Sequence, residues 1–593
     1  MAFPELKVGR QPVTLYELDQ DFCTLVYGES PCTAELGVTG ERKCFNTRVT
    51  CQDPQNYDRG TLTLTFAKPH VDQPRDRNWI PLLQDVDTVP TKINVGGGDR
   101  SSEPLGQRAS VTAVFKDAPH SDLLVDPYRD ERDYNALDRG TFWSKWTRRN
   151  PYYQNRRVRV REGYVGQDPE EMRTRHYFID RIDGPDSSGR VRIKAKDVLK
   201  LADNDRAQWP EQSPGELDAE IEETDSSLTI RRAEVSDYDP DGQGSGTVRV
   251  GDEIILWDSI SESGGIVTLS SLTRGVERTE ADDHDEGDTV QRCQRYTDAA
   301  LTDVIDDILT KGSNVPSEFI PMADWDAERD RWLSGFNVSV LLTEPFGATE
   351  LLAELTEQCL FYIWWDERDQ EIKFKAVRPV DFAQDEAPVV IDDESGVIGG
   401  TFEIEQNPEE RVSQVWTLFS QIDPTEDVDE FDNYRRIRIF ADARAESDDE
   451  YGEQRIRRVY ARWLQGDAQA ITVNRRIIAR YRDNPVRVRL ALDAKDRDLK
   501  TADIVDLSTR QLQDDTGAQE TRRFQVIRAK ETEPGHRQDY VLQRFEFVGR
   551  YAFFMENDAP VYSNSMNGQR ESGGFFAADG DGFDDGTEAY RFI

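Results

Sequence analysis

Four of the chain's six cysteines fall between residues 23 and 51: Cys23, Cys32, Cys44 and Cys51. Such clustering in a Cys-poor chain demands a common cause. Two disulfides are one option, with three possible pairings. A four-thiolate metal centre is the other. Structural zinc sites take their cysteines in pairs two to four residues apart, whereas here the gaps are eight, eleven and six residues. Iron–sulfur clusters require only four thiolates that converge in space. Gly28, Pro31, Gly37 and Gly40 interleave with the cysteines and favour loops that wrap a small centre, with backbone N–H groups free to point at sulfur. Cys293 and Cys359 stand alone and read as small buried apolar residues.

Charge sets the second constraint. The 593 residues carry 115 Asp and Glu against 74 Lys and Arg, a formal charge of -41. Of the basic residues only 15 are Lys. The carboxylates are spread along the whole chain, the pattern of a surface kept hydrated in strong salt, where self-repulsion is screened; a salt-rich environment is expected. This balance argues against binding nucleic acid by phosphate neutralisation, which needs a basic face. No apolar stretch is long enough for a transmembrane helix, and residues 1–7 do not read as a secretory signal.

The length suggests about four domains, and the patterning gives an α+β, multidomain, β-rich chain. Residues 1–70 hold the cysteines and end in an alternating strand, Thr61–Phe66. Residues 71–105, with Gly96-Gly97-Gly98, read as an extended connection. In 106–211, Val158 and Val160, then Val191 and Ile193, alternate with Arg. Residues 212–295 carry short β runs between turns, an inserted small β module of barrel or sandwich type. In 296–384, Leu301, Val304, Ile305, Ile308 and Leu309 mark a helix, Leu351, Leu352 and Leu355 another, and Ile372–Ala376 a strand. In 385–550 a helical face is expected at Ile456, Val459, Tyr460, Trp463 and Leu464, a second at Ile477, Ile478 and Tyr481, and a strand at Val486–Leu492. Residues 551–593, rich in Gly, Asp and aromatics, read as a C-terminal tail contacting partners.

Signatures of catalysis are missing. His70, His120, His176, His284 and His536 form no helical metal-binding pair, there is no Gly-x-Ser-x-Gly elbow, and Gly96–Gly98 lacks the Lys of a phosphate loop. Asp237-x-Asp239-x-Asp241-Gly242 resembles the start of a calcium loop, but position twelve is Val248 rather than Glu, so a solvated turn is expected. No enzymatic role is expected.

The opening reads Phe22-Cys23, Ser30-Pro31-Cys32-Thr33-Ala34, Gly37-Val38-Thr39-Gly40, Lys43-Cys44-Phe45-Asn46-Thr47, Thr50-Cys51-Gln52-Asp53 and Asn56-Tyr57. It resembles the Cys-bearing segment of tail-tip hub proteins in long-tailed, siphovirus-like viruses, those of lambda type among them. The first and last cysteine spacings agree; the middle loop differs. The resemblance implies a [4Fe–4S] cluster held by Cys23, Cys32, Cys44 and Cys51, with zinc or two disulfides as the alternatives from spacing. Three further stretches resemble hub domains more diffusely. They are Tyr177–Ile182 with Gly189 to Leu199, Arg274-Gly275 with Thr279, His284, Gly287 and Val290, and Leu499–Val505, where Ala502 stands at a usual Gly. The family reading implies baseplate-hub-like β-barrel domains. It also implies a homotrimer closing the tail tube, with distal tail, tape measure and tail fibre or receptor-binding proteins as partners. Genome DNA would pass through the lumen without specific binding. The protein would be made in the host cytoplasm and reside at the virion tail tip. With the acidic surface, a virus of a halophilic archaeon is expected, a marine phage being the runner-up. A receptor-binding role for residues 212–295 and an envelope-degrading enzyme are the competing readings.

Overall fold

The computed structural model describes residues 11–69, 78–95, 105–203, 206–380, 387–393, 396–493, 499–533 and 536–545. The expected tail at 551–593, Gly96–Gly98 and His70 lie outside them. The architecture is β-rich, with several sheets and few helices.

Seven strands form the N-terminal sheet: β1 (Pro12–Cys23), β2 (Arg59–Phe66), β3 (Leu83–Val89), β4 (Ser110–Lys116), β5 (Arg157–Tyr164), β6 (Arg173–Asp183) and β7 (Arg190–Lys196). Their spatial order is β2-β1-β5-β6-β7-β4-β3, antiparallel at every step. The sheet therefore draws on the Cys segment, the connection and the first hub segment, and these share one core. Alternation dictates the layout: Val158, Val160, Val191, Ile193 and Ala195 point inward between solvated Arg and Lys, as a half-buried strand requires. The helix Phe142–Arg149 covers the inner face. Its Trp143 stacks on Phe66 at 5.3 Å and tilts against Phe115 at 4.8 Å.

The inserted module forms two small sheets around one core. Leu228, Ile230, Val267 and Leu269 come from one and Val248, Val250, Ile255 and Trp257 from the other, the sandwich expected of short alternating runs. Beyond it, the helices Leu301–Thr310 and Ala348–Cys359 and the strand Glu371–Ala376 sit where periodicity puts them. They share the largest core with the helices Met322–Trp332 and Asp467–Tyr481.

One expected helix is a strand. Ile456–Ala461 is the outer strand of a three-stranded sheet, parallel to Gln414–Gln421. Arg457 is buried there against Glu357 (2.7 Å), while Ile456 is exposed. Polarity thus misreports which residues face in, and the apolar spacing mimics a helix. The late hub segment is also not a closed barrel among the described residues. It is an open six-stranded sheet running from Val389–Asp392 through Ile504–Gln513, Gln519–Glu533, Arg537–Arg544 and Val486–Asp493 to Glu403–Gln406. Ala502 adopts φ +78°, the left-handed region that favours Gly.

At the seam between the first and last sheets, Arg173 pairs with Glu531 (2.8 Å) and Arg175 with Glu162 (2.5 Å). Burial holds Glu162 up at about 7 against the pull of Arg175.

Candidate functional site

The hairpin of β1 and β2 opens at its last pair, Cys23 and Arg59, and residues 24–58 form the loops between. Cys23 ends β1, and its N–H donates to the Asn46 carbonyl (2.7 Å). A turn through Gly28, at φ +77°, leads to Cys32, whose N–H donates to Glu29 O (2.8 Å). Cys44 precedes the left-handed Asn46, and Cys51 follows the short 3-10 turn Arg48–Thr50.

Polar side chains cross-link these loops where a core would otherwise do so. Asn46 Nδ2 donates to the carbonyls of Cys23 (3.0 Å) and Leu25 (3.1 Å), and its Oδ1 accepts from the Cys44 thiol (3.4 Å). Gln52 accepts from Tyr27 Oη (2.8 Å) and donates to the Arg42 carbonyl (2.6 Å). The Asp53 carboxylate takes Thr33 N (2.7 Å) and its hydroxyl (2.9 Å), which holds it below the usual carboxylate range. Asp53 N in turn donates to Cys51 Sγ at 3.4 Å, the kind of N–H···S bond that tunes a metal-bound thiolate.

The loops dock on residues far along the chain. Arg132 donates to the carbonyls of Lys43 (2.6 Å) and Cys44 (2.8 Å) and is itself held by buried Asp126 (2.9 Å). Tyr128 Oη accepts from Tyr27 N (2.7 Å). Phe45 lies under the guanidinium groups of Arg149 (3.9 Å) and Arg132 (4.2 Å). Lys43 Nζ sits 4.9 Å from the Tyr128 ring centroid and Arg48 5.2 Å from that of Tyr57. Three of these cations are themselves paired with carboxylates, Lys43 with Glu131, Arg132 with Asp126 and Arg149 with Asp122.

All four cysteines are free thiols. Burial pushes the Cys44 thiol up, and Cys51, Cys32 and Cys23 add to the push. Burial does the same at Cys51, with Cys23 and Cys32 contributing. The four sulfurs therefore lie within electrostatic reach of one another. Among the described residues, no three His, Cys, Asp or Glu groups close on a single ion. A cluster of several irons spreads its thiolates wider than one ion does. Four soft donors and one N–H group on sulfur suit a thiolate-bound iron–sulfur cluster.

A second buried polar cluster lies in the inserted module, and sequence reasoning missed its centre, Glu253. Its carboxylate accepts from Arg274 (2.6 and 2.8 Å), Gly275 N (2.8 Å) and His284 Nε2 (2.9 Å). Burial alone would raise it, yet these donors hold it below its ordinary value. Thr279 accepts from Ile254 N (3.0 Å). The Arg-Gly and His of the motif thus converge on one carboxylate while Thr279 holds the backbone N–H of the next residue, and the signal that could have found it is a Glu inside an apolar strand. Trp257 is buried in the same core and offers no exposed binding platform.

The remaining candidates are structural. Burial and the neighbouring Arg159, Arg161 and Arg157 push His176 down to about 4. His120 packs edge-on against Phe142, and His536 lies in an exposed turn. Asp239 accepts from Gln243 N (2.7 Å) and Gly244 N (2.9 Å), closing the expected turn.

No family model and no curated protein matches the chain. Among solved structures it is similar to a prophage tail protein of Listeria monocytogenes (TM-score 0.32, 8% identity, covering 78% of this chain and 88% of that one). It is also similar to a tail protein of Neisseria meningitidis (TM-score 0.32, 9% identity, 75% and 90%). A Francisella PdpA–VgrG complex gives a TM-score of 0.30 at 9% identity, covering 91% of this chain and 53% of that one. At these scores the likeness is loose.

Proposed function

We propose that this chain is a structural virion protein: the tail hub that closes the distal end of a long viral tail, with Cys23, Cys32, Cys44 and Cys51 holding a [4Fe–4S] cluster. The observation that carries the reading is the gathering of four free thiols, one at the end of β1 and three in the loops after it, in a segment whose residues resemble the tail-tip Cys segment. The cluster, when bound, supplies a covalent junction between loops. The chain's own residues supply the rest: Asn46, Gln52 and Asp53 space the loops, Asp53 N bonds one sulfur, and Arg132 ties the Cys44 turn to the sheet domain. Its role here is a staple, since residues 24–58 bury few apolar side chains of their own.

In this reading the subunit forms a homotrimeric ring against distal tail, tape measure and tail fibre proteins. Acidic side chains along the lumen repel phosphate and keep DNA from adhering as it leaves. The distributed negative charge suits a virus of a salt-loving host, and circular dichroism from low to molar salt tests that part: loss of fold on desalting supports it, an unchanged fold contradicts it. Gold-labelled antibody on intact particles tests the location; label at the tail end supports the hub, and label elsewhere overturns it.

A further inference from the structure

On the late six-stranded sheet, alternation sends Val488, Leu490 and Leu492 to the core and Arg487 and Arg489 to the opposite face. That face walls a cavity of about 550 Å³. Six cations line it, Lys92, Arg487, Arg489, Arg528, Lys530 and Arg537, against two carboxylates, Glu405 and Asp539. Four of the six are matched by a carboxylate: Arg487 by Glu410 (2.7 Å), Arg489 by Glu405 (2.9 Å), Lys530 by Asp87 (3.3 Å) and Arg537 by Asp539 (2.8 Å). Arg528 is not. Half-buried, it has neither an ion pair nor a side-chain hydrogen bond among the described residues, and its Nε is shut off from solvent. Its register neighbours are also cationic. Across Val541 the next residue on the same row is Arg489, and on the other side an isolated bridge sets Arg528 opposite Lys92.

A buried guanidinium N–H with no acceptor, placed beside like charges, costs free energy until an anion reaches it. A free multivalent anion must approach a chain of formal charge -41, which repels it. A carboxylate run on the same chain is already counted in that charge. Its arrival is intramolecular, at an effective concentration set by the tether. One such run lies within reach. The strand Arg537–Arg544, which contributes Arg537, Asp539 and Val541 to the cavity, leads directly into the C-terminal part of the chain. There Asp579, Asp581, Asp584, Asp585 and Glu588 fall within ten residues that hold no Lys or Arg. Residues 546–578 join the two, and at up to about 3.3–3.6 Å per residue they can cover the distance back to Val541 several times over.

We propose that residues 579–588 dock in this cavity of their own subunit, with their carboxylates on Arg528 and Lys92. A partner that recruits the tail then has to displace it from the sheet, so the cavity acts as a latch on the segment. The latch involves neither the cysteines nor a position in the virion, so those assignments stand or fall separately.

Zero-length carbodiimide cross-linking of the full-length protein tests it, at the lowest salt at which the wild type melts cooperatively, since Lys92 and Lys530 join only to carboxylates in contact with them. The expected product ties Lys92 or Lys530 to 579–588 within one chain. Its yield should not depend on concentration, and mixing with isotope-labelled protein should give no mixed links. R528E should lower the yield about tenfold, with an unchanged circular dichroism melt. The tail variant D579N/D581N/D584N/D585N leaves the cavity intact and keeps the test open should R528E misfold. In it, acetylation of Lys92 and Lys530 should be about tenfold faster than in the wild type. Links from these lysines only to Asp87, Glu405 or Asp539, or links to the tail that R528E does not reduce, overturn the proposal. So do mixed-isotope links, which would assign the cavity to a neighbour's tail, and equal acetylation in the tail variant, which would assign it to another anion or to solvent.

Discussion

Residues 24–58 and the inserted module are both small appendages, yet they are held by opposite means. The module surrounds Trp257, Val248, Leu228 and Val267 with two sheets. Each such side chain contributes about 1.5–3 kcal/mol on burial. Its buried charge, Glu253, is met by Arg274, His284 and backbone N–H groups. The Cys segment has one short 3-10 turn and no strand. Only Tyr27, Ala34 and Phe45 give it fully buried apolar bulk beyond Cys23, while Val26, Leu36, Val38 and Val49 stay exposed. Where burial closes a fold, sulfur chemistry is dispensable; where it does not, polar cross-links hold the loops, and the proposed cluster would add a staple.

The sharpest way to break this contrast is Cys44→Ser. Hydrogen exchange is expected to rise by orders of magnitude across 24–58 and stay unchanged in 216–292; retained protection in 24–58 would show that the polar cross-links suffice. Next in size, Glu253→Ala strands buried Arg274 and His284 and should cost about 3–5 kcal/mol, read as early melting of the module with iron content intact. The same group gives a pH test. Its folded pKa lies below the unfolded one, so its contribution is full above about pH 4.5 and is lost as pH falls through the folded value. The module should therefore loosen in acid from that point downward. Arg132→Gln leaves Asp126 and two carbonyls short of a donor, and about 2–3 kcal/mol of docking should be lost, seen as faster exchange at 42–46. The smallest effect is expected for Asn46→Ala, about 1–2 kcal/mol, detected as quicker iron loss to a chelator.

The cysteines were legible because clustering in a Cys-poor chain has few causes. Their supports were not. Arg132 and Tyr128 reach the loops from far along the chain, and no local pattern announces that. Strands with one wet face, such as Val486–Asp493, declared themselves by alternation. Ile456–Ala461 did not, because an ion pair buries Arg457 while Ile456 stays outside. Barrel closure was unreadable for a related reason. Alternation fixes which face of a strand is buried and says nothing about whether the outermost strands, here Val389–Asp392 and Glu403–Gln406, meet.

Metal analysis of anaerobically purified protein, together with its visible absorbance, tests the central claim most directly. The account expects a broad brown absorbance and about four irons per chain, both lost in Cys44→Ser. Stoichiometric zinc, or no metal with the four cysteines oxidised in pairs, would contradict it.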